Sequence, residues 1–171
     1  MKSPNIHPET YRFAMEQALS AATQSDDPST QVGAILVSPD GTDIIAHGCN
    51  NMPEKVRVTP ERMQRPLKYD VREHAERDAI FRAAKLGRQT LDSVLVGIWA
   101  GCSHCSRAAI LAGVSAFVSF PFERGGTANH WDDDIELGRE MLRESGVAVV
   151  DYDFPGIAIP PLRRNGELWM P

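Results

Sequence analysis

Two short segments restrict this chain more than any hydrophobic pattern does: Glu73-His74-Ala75-Glu76 and Gly101-Cys102-Ser103-His104-Cys105. An imidazole and two thiolates can hold three corners of a tetrahedral Zn²⁺, leaving the fourth for water, which is how a catalytic zinc is held. If His74, Cys102 and Cys105 share one ion, the chain between them must leave and return. The intervening residues suit such an excursion. Ala75, Ala79, Ile80, Ala83, Ala84 and Leu86 form a helical stripe that stops at Gly87, and Leu91 to Trp99 reads as a strand. Glu76 then lies in the first turn of a helix beside one of the ligands, where a carboxylate can move protons to and from a metal-activated water. The competing reading is a closed structural zinc whose fourth ligand is His104, His130 or Cys49. Taken alone, Glu76 is an ordinary first-turn acid.

The rest of the pattern predicts a three-layer α/β/α fold, a mixed five-stranded sheet with helices on both faces. His7-Pro8-Glu9 followed by Tyr11, Ala14, Met15, Ala18, Leu19 and Ala22 reads as a helix with proline in its first turn. Val32 to Val37 and Ile44 to His47 read as a hairpin turning on Ser38-Pro39-Asp40-Gly41. Cys105 to Leu111 is a second crossover helix, Val114 to Phe120 a strand, Trp131 to Ser145 a helix and Val147 to Val150 a last strand. The β-α-β-α-β order implies neighbouring parallel strands. Cys102 and Cys105 fall on one side of a first helical turn, where the positive helix end favours thiolates. The stretch from Asn51 to Asp70 has no period and is expected to be a loop over the site, since structureless loops of about twenty residues are often functional. Phe122 to Thr127 reads as a glycine-bearing loop. Residues 1–171 are expected to form one domain, with a core at about 8–151 and an irregular proline-bearing tail at 152–171.

Composition excludes some roles. With 171 residues, 42% of them hydrophobic and 24% charged, the chain can bury a core unaided. No apolar run is long enough to span a membrane and the N-terminus lacks an apolar signal core, so a cytoplasmic protein is expected. Three cysteines, two of them at metal spacing, argue against a disulfide framework; Cys49 reads as a buried small hydrophobe. A net charge of −5 weighs against binding a polynucleotide backbone. Arg57, Arg62, Arg65, Lys68 and Arg72 nevertheless form a local basic cluster, either a solvated loop or a site for one phosphate group.

His74-Ala75-Glu76 with Cys102-x-x-Cys105 resembles the H-x-E…P-C-x-x-C signature of the zinc-dependent cytidine/deoxycytidylate deaminase superfamily. Three further blocks are similar in the same order: Asp27 to Val37 to its first strand, Gly48-Cys49-Asn50-Asn51-Met52-Pro53 to its G-Y-N-G-x-P loop, and Arg65-Pro66-Leu67-Lys68-Tyr69 to the approach segment of its dCMP deaminases. The resemblance covers roughly Asp27 to Asp151. It implies zinc on His74, Cys102 and Cys105, with Glu76 relaying protons as water attacks the amine-bearing ring carbon. It further implies that Asn50 hydrogen-bonds sugar or base and that the Ala75 amide orients a pyrimidine carbonyl. Trp99, Arg65 and Lys68 are added as substrate contacts.

The chain departs from the family pattern at several positions. Gly101 replaces the proline before the first cysteine and is expected to loosen that turn. Ile98 stands for a threonine and Ser119 for a tyrosine, which leaves the base-stacking ring open among Trp99, Phe120, Phe122 and Trp131. Asp78 replaces an asparagine; it either pairs with Arg77 or Arg82 or, the favoured reading, adjusts the surroundings of the metal. The leading function is deamination of a cytosine-bearing nucleotide, dCMP to dUMP and ammonia. The alternatives are a nucleoside, free base or other amino-heterocycle handled by the same chemistry, and a non-catalytic zinc-stabilised nucleotide-binding module. The expected partners are a small-molecule nucleotide or nucleobase and further copies of the chain in a homo-oligomer.

Overall fold

A computed structural model describes residues 7–122 and 131–169. Its frame is a five-stranded sheet in the order β2-β1-β3-β4-β5, with β1 at Gly33–Val37, β2 at Ile44–Cys49, β3 at Val94–Gly97, β4 at Ala116–Ser119 and β5 at Ala148–Asp151. β1 pairs antiparallel with both β2 and β3, while β3, β4 and β5 run parallel. The hairpin and the parallel run match the sequence pattern; the antiparallel pairing of β1 with β3 has no local signal, since nothing in either strand names its neighbour.

Alternation across the strands sorts the core into two layers. Ile35, Val37, Val94, Val96, Ala116 and Val118 face α1 (Arg12–Ala22), which presents Ala14, Met15, Ala18, Leu19 and Ala22. Ala34, Leu36, Leu95 and Phe117 face the other way, toward Ala75, Ala79 and Ala83 of α3 (Ala75–Lys85) and Ala109 of α4 (Ser103–Leu111). With both faces covered, β1, β3 and β4 are buried throughout, which is why they read as continuous apolar runs. Each buried Leu, Ile or Val contributes about 1.5–3 kcal/mol relative to exposure. α5 (Asp132–Glu144) lies beside α4 and sets Leu142 into the second layer.

The register puts Gly33, Cys49, Gly97, Ser119 and Asp151 at one edge of the sheet, the carboxyl ends of every strand but β1. Chain segments leaving that edge carry Asn50, Trp99 and Cys102. Close approach fixes the helices there: a side chain at Gly48 would collide with the backbone of Ala75 and Ala79, and one at Gly33 with that of Ala18. Only glycine lets β2 lie so near α3, and α3 begins one residue after His74.

Two expectations are corrected. The stretch from Asn51 to Asp70 is not structureless: it holds a 3₁₀ turn at Glu61–Met63 and a short helix, α2 (Leu67–Val71). The tail, expected to be irregular, contains an antiparallel hairpin of β6 (Leu162–Arg164) and β7 (Glu167–Trp169). Phe154 and Leu162 from the tail are fully buried in the α1 layer, so it is seated on the sheet. The glycine-bearing loop expected at Phe122 to Thr127 lies outside the described residues after Phe122.

Candidate metal centre and substrate cavity

His74 is the extended residue that caps α3, and Cys102 occupies the same place before α4, with Cys105 one turn further on. Both helices therefore point their positive ends at the three side chains, which favours thiolate over thiol. The Nδ1 atom of His74 lies 3.5 Å from Sγ of Cys102 and 3.4 Å from Sγ of Cys105, and the two sulfurs are 3.6 Å apart. Zn–S bonds of about 2.3 Å and Zn–N bonds of about 2.0 Å at tetrahedral angles require edges of about 3.8 Å between sulfurs and about 3.5 Å from nitrogen to sulfur. The triangle fits zinc within a few tenths of an ångström. These are the described residues that could hold a metal ion as a group. His104 is exposed and contacts Arg107, and Cys49 is buried outside the triangle; His130 lies outside the described residues.

The electrostatics of the triangle divide it into charged and neutral members. Contact with the Cys105 sulfur and with the His74 ring outweighs burial and holds Cys102 at about 4. Burial pulls His74 down, but the Cys102 sulfur and the Glu76 carboxylate overcome it and raise the imidazole to about 9. Cys105, beside the Cys102 thiolate and deeply buried, is pushed up. Glu76 is 4% exposed; burial raises its carboxyl, and its Oε2 accepts a 3.5 Å hydrogen bond from Cys105. A carboxylate beside the triangle with a raised proton affinity is suited to accept and return a proton.

Neighbours hold these groups in place. The backbone N–H of His74 donates to Glu73, whose other oxygen pairs with Arg77 at 2.9 Å. The N–H of Ser103 donates to Asp134 in the first turn of α5. Beneath the cysteines lies Phe117 of β4. A Cβ at Gly101 would sit 2.7 Å from its Cε1, and one at Gly97 3.1 Å from its Cε2. The turn before Cys102 is therefore tightly packed rather than loosened, because the Phe117 ring takes the space a side chain at 101 would need.

A cavity adjoins this centre; His74, Ala75, Glu76 and Cys102 line it, and so do Arg65, Trp99 and Arg164. Asn50 lines it too, but its amide already bridges two backbone groups, accepting from Val32 at 2.7 Å and donating to Thr30 at 2.7 Å. Lys68 is 7% exposed, with its amine 2.7 Å from Asp27, and Arg72 pairs with Asp26 at 2.8 Å and with the carbonyl of Asn50 at 2.7 Å. Two cations of the predicted basic cluster thus clamp the middle segment onto residues 26–27. Asp78 does not reach the metal ligands: it accepts from the Cys49 N–H at 3.0 Å and pairs with Arg82 at 2.8 Å, tying β2 to α3.

Among the proposed base-stacking rings, Trp131 stands edge-on to His74 at 5.8 Å and to Tyr69 at 5.7 Å, on the cavity wall. Trp99 also lines the cavity, 4.4 Å from Trp169, with the guanidinium of Arg164 4.2 Å over its ring. Phe120 packs against Phe154 and Trp169 in the core, and Phe122 against Arg139. Sequence reasoning missed Asp27, Arg164 and Asn165 as parts of this wall. For the last two a signal existed: Asn165-Gly166 between short β-prone runs marks a two-residue hairpin turn.

Comparison with known proteins agrees with this architecture. Residues 8–120 match the family model of the cytidine and deoxycytidylate deaminase zinc-binding region. An uncharacterized deaminase from the luxG 3′ region of Aliivibrio fischeri is 30% identical over 128 residues, 73% of this chain and 81% of that one. Among solved structures, the dCMP deaminase of cyanophage S-TIM5 in complex with dCMP and dUMP is similar, with a TM-score of 0.65, 24% identity, and coverage of 86% of this chain and 100% of that chain. The diaminohydroxyphosphoribosylaminopyrimidine deaminase/5-amino-6-(5-phosphoribosylamino)uracil reductase of Thermotoga maritima gives a TM-score of 0.61 at 22% identity, covering 85% of this chain but 37% of that one.

Proposed function

The chain belongs to the cytidine and deoxycytidylate deaminase family and is a zinc-dependent hydrolytic deaminase; from that premise, we propose that its substrate is a cytosine-bearing nucleotide, dCMP, converted to dUMP and ammonia. The observation that carries this reading is the cavity itself, whose lining includes both Glu76 with the metal ligands His74 and Cys102 and the cationic side chains Arg65 and Arg164. A neutral base would have no use for those charges. A solved structure of similar fold holds dCMP and dUMP, and another is named for a phosphoribosylated aminopyrimidine, which agrees with a sugar-phosphate arm.

His74, Cys102 and Cys105 hold the zinc, which when bound supplies a water acidic enough to attack near neutral pH. Glu76 would accept a proton from the attacking water as the water oxygen bonds to the amine-bearing ring carbon, and would give it to the ring nitrogen. It would then carry the proton of the hydroxyl added to that carbon to the amine, so that the C=O forms as the C–N bond breaks and ammonia is released. In this reading the Ala75 N–H, at the opening of α3, holds the ring carbonyl, and Trp131, edge-on to His74 on the cavity wall, borders the base. Asn50 shapes the wall through Thr30 and Val32 and offers its remaining lone pair to a sugar hydroxyl. Arg65 contributes charge to the wall, whereas Lys68 acts through its pairing with Asp27.

Ammonia release from the zinc-loaded protein tests this directly. dCMP should exceed CMP, deoxycytidine, cytosine and purine analogues in kcat/KM; a preference for the neutral substrates rejects the nucleotide reading. Among the described residues no helix is long and apolar enough to cross a membrane. Thiolate ligands survive best where thiols stay reduced, which supports a cytoplasmic site of action. Self-association is supported by the exposed Phe81 and Leu111 along one groove between α3 and α4. Sedimentation should show more than one copy per particle. Residues 1–171 act as one unit in this reading, because Leu162 of the tail is buried with α1.

A further inference from the structure

The first amide of α4 has no carbonyl a turn before it to bond, as at any helix start. It belongs to Ser103, which is 6% exposed, so its partner has to come from another element. Cys102, the N-cap, has its side chain committed to the metal triangle.

The partner comes from α5. Asp134, in the first turn of that helix, accepts from the Ser103 N–H at 3.3 Å. Four residues on, and so on the same helix face, Gly138 lies against the same peptide unit from its carbonyl side. A Cβ at position 138 would stand 3.1 Å from both the carbonyl carbon and the oxygen of Cys102, and 2.6 Å from Oγ of Ser106. That carbonyl also accepts from the Ser106 N–H at 2.9 Å. The peptide joining Cys102 to Ser103 is thus gripped at both ends, its N–H by a carboxylate and its C=O by close contact with α5. Trp131, at the N-cap of α5, stands edge-on to the His74 ring at 5.8 Å. Spacing along the chain puts Cys102 and Cys105 on one turn; α5 decides where that turn sits.

The charge of Asp134 matters as well as its hydrogen bond. The positive end of α4 favours anions, and the cysteine sulfurs and the Asp134 carboxylate share it. When Zn²⁺ is held there, a further anion at that end adds attraction for the cation and strengthens donation from sulfur. We propose that Asp134 is a positioning residue of the metal centre: through the Ser103 N–H it holds the cysteine turn in ligating geometry, and its charge tightens the hold on zinc. This role requires His74, Cys102 and Cys105 to be the ligands and is independent of which substrate the cavity takes.

The test uses the zinc-loaded full chain, its Co²⁺-substituted form and two substitutions. Asp134→Asn keeps the shape and an acceptor but removes the charge; Asp134→Ala removes all three. Zinc affinity, measured by competition with a chelator, should fall by about ten- to a hundred-fold in the Ala variant, with the Asn variant between it and the parent. In the Co²⁺ form of the Asn variant the thiolate-to-metal absorption should move to shorter wavelength, because a sulfur relieved of a neighbouring anion gives up its electron less readily. A residue that only caps α4 would leave that band in place. The metal-free Asn variant should unfold within a few degrees of the metal-free parent; where the Ala variant does not fold, the Asn variant alone decides. Parental zinc affinity in the Asn variant, an unmoved band, or an affinity loss matched by a lower metal-free midpoint overturns the proposal. A parent chain that takes up no zinc rejects the ligand assignment and this role with it, and is told apart from those outcomes because parent and variants then behave alike.

Discussion

Two parts of the cavity wall are built in different ways. At the metal end, His74, Glu76, Cys102 and Cys105 sit in or just before the first turns of α3 and α4, so short spacings along the chain set their positions. Elsewhere on the wall, Lys68 depends on Asp27, and the hairpin that carries Arg164 depends on Ser29, Thr30 and Gln31, contacts between residues far apart in the chain. The chemistry is local and the selectivity is not. Substitutions at the first end should therefore remove turnover on every substrate, and those at the second should redistribute preference among substrates.

The largest effect expected is at Glu76. Glu76→Gln should lower ammonia release by about 10³-fold or more on all substrates while zinc content and thermal midpoint stay near the parent's; a selective loss on dCMP would break the division between the two ends. Next is the glycine that sets β2 against α3. Gly48→Ala should destabilise the fold by more than about 3 kcal/mol in chemical denaturation, because backbone has to move, and should lower zinc retention with it. Lys68→Met leaves Asp27 buried without its nearest cation and should cost about 3 kcal/mol of stability. Its effect on KM should be the same for dCMP and deoxycytidine, and a nucleotide-selective rise would return Lys68 to the phosphate site.

A smaller change is expected from Arg65→Ala, a rise of about three- to ten-fold in KM for dCMP with kcat preserved, since its guanidinium lies 5.7 Å from the Tyr69 ring centroid and its loss removes a single charge from the wall. Smallest is Arg82→Ala. Its pairing with Asp78 is exposed on the helix surface, worth about 0.3–0.5 kcal/mol, and steady-state kinetics should be unchanged.

The same division governs what could be read from the sequence. His74-Ala75-Glu76 and Cys102-x-x-Cys105 are legible because helical spacing carries their geometry, and β1, β3 and β4 because burial on both faces makes apolar runs. Asp27 gave no such warning: an acid after a helix looks like a turn residue until Lys68 arrives from another element. The ring at the metal was open among four aromatics, because Trp99 and Trp131 differ only in which element brings them to the cavity. Pro155, Pro160 and Pro161 predict irregularity in the tail, whereas the paired left-handed residues Asn165-Gly166 make its hairpin. Of the two readings of Asp78, its pairing with Arg82 is carried by helical spacing, whereas its distance from the metal is not written in its spacing from Glu76.

The packing of Phe117 against Gly97 and Gly101 means that the cysteine turn and the fourth strand cannot evolve separately. A proline or alanine at 101 should be tolerated only alongside a smaller residue at 117, so the paired exchange should recover stability that either change loses alone. A relative that carries one half of that exchange without the other would have had to reshape the floor under its metal.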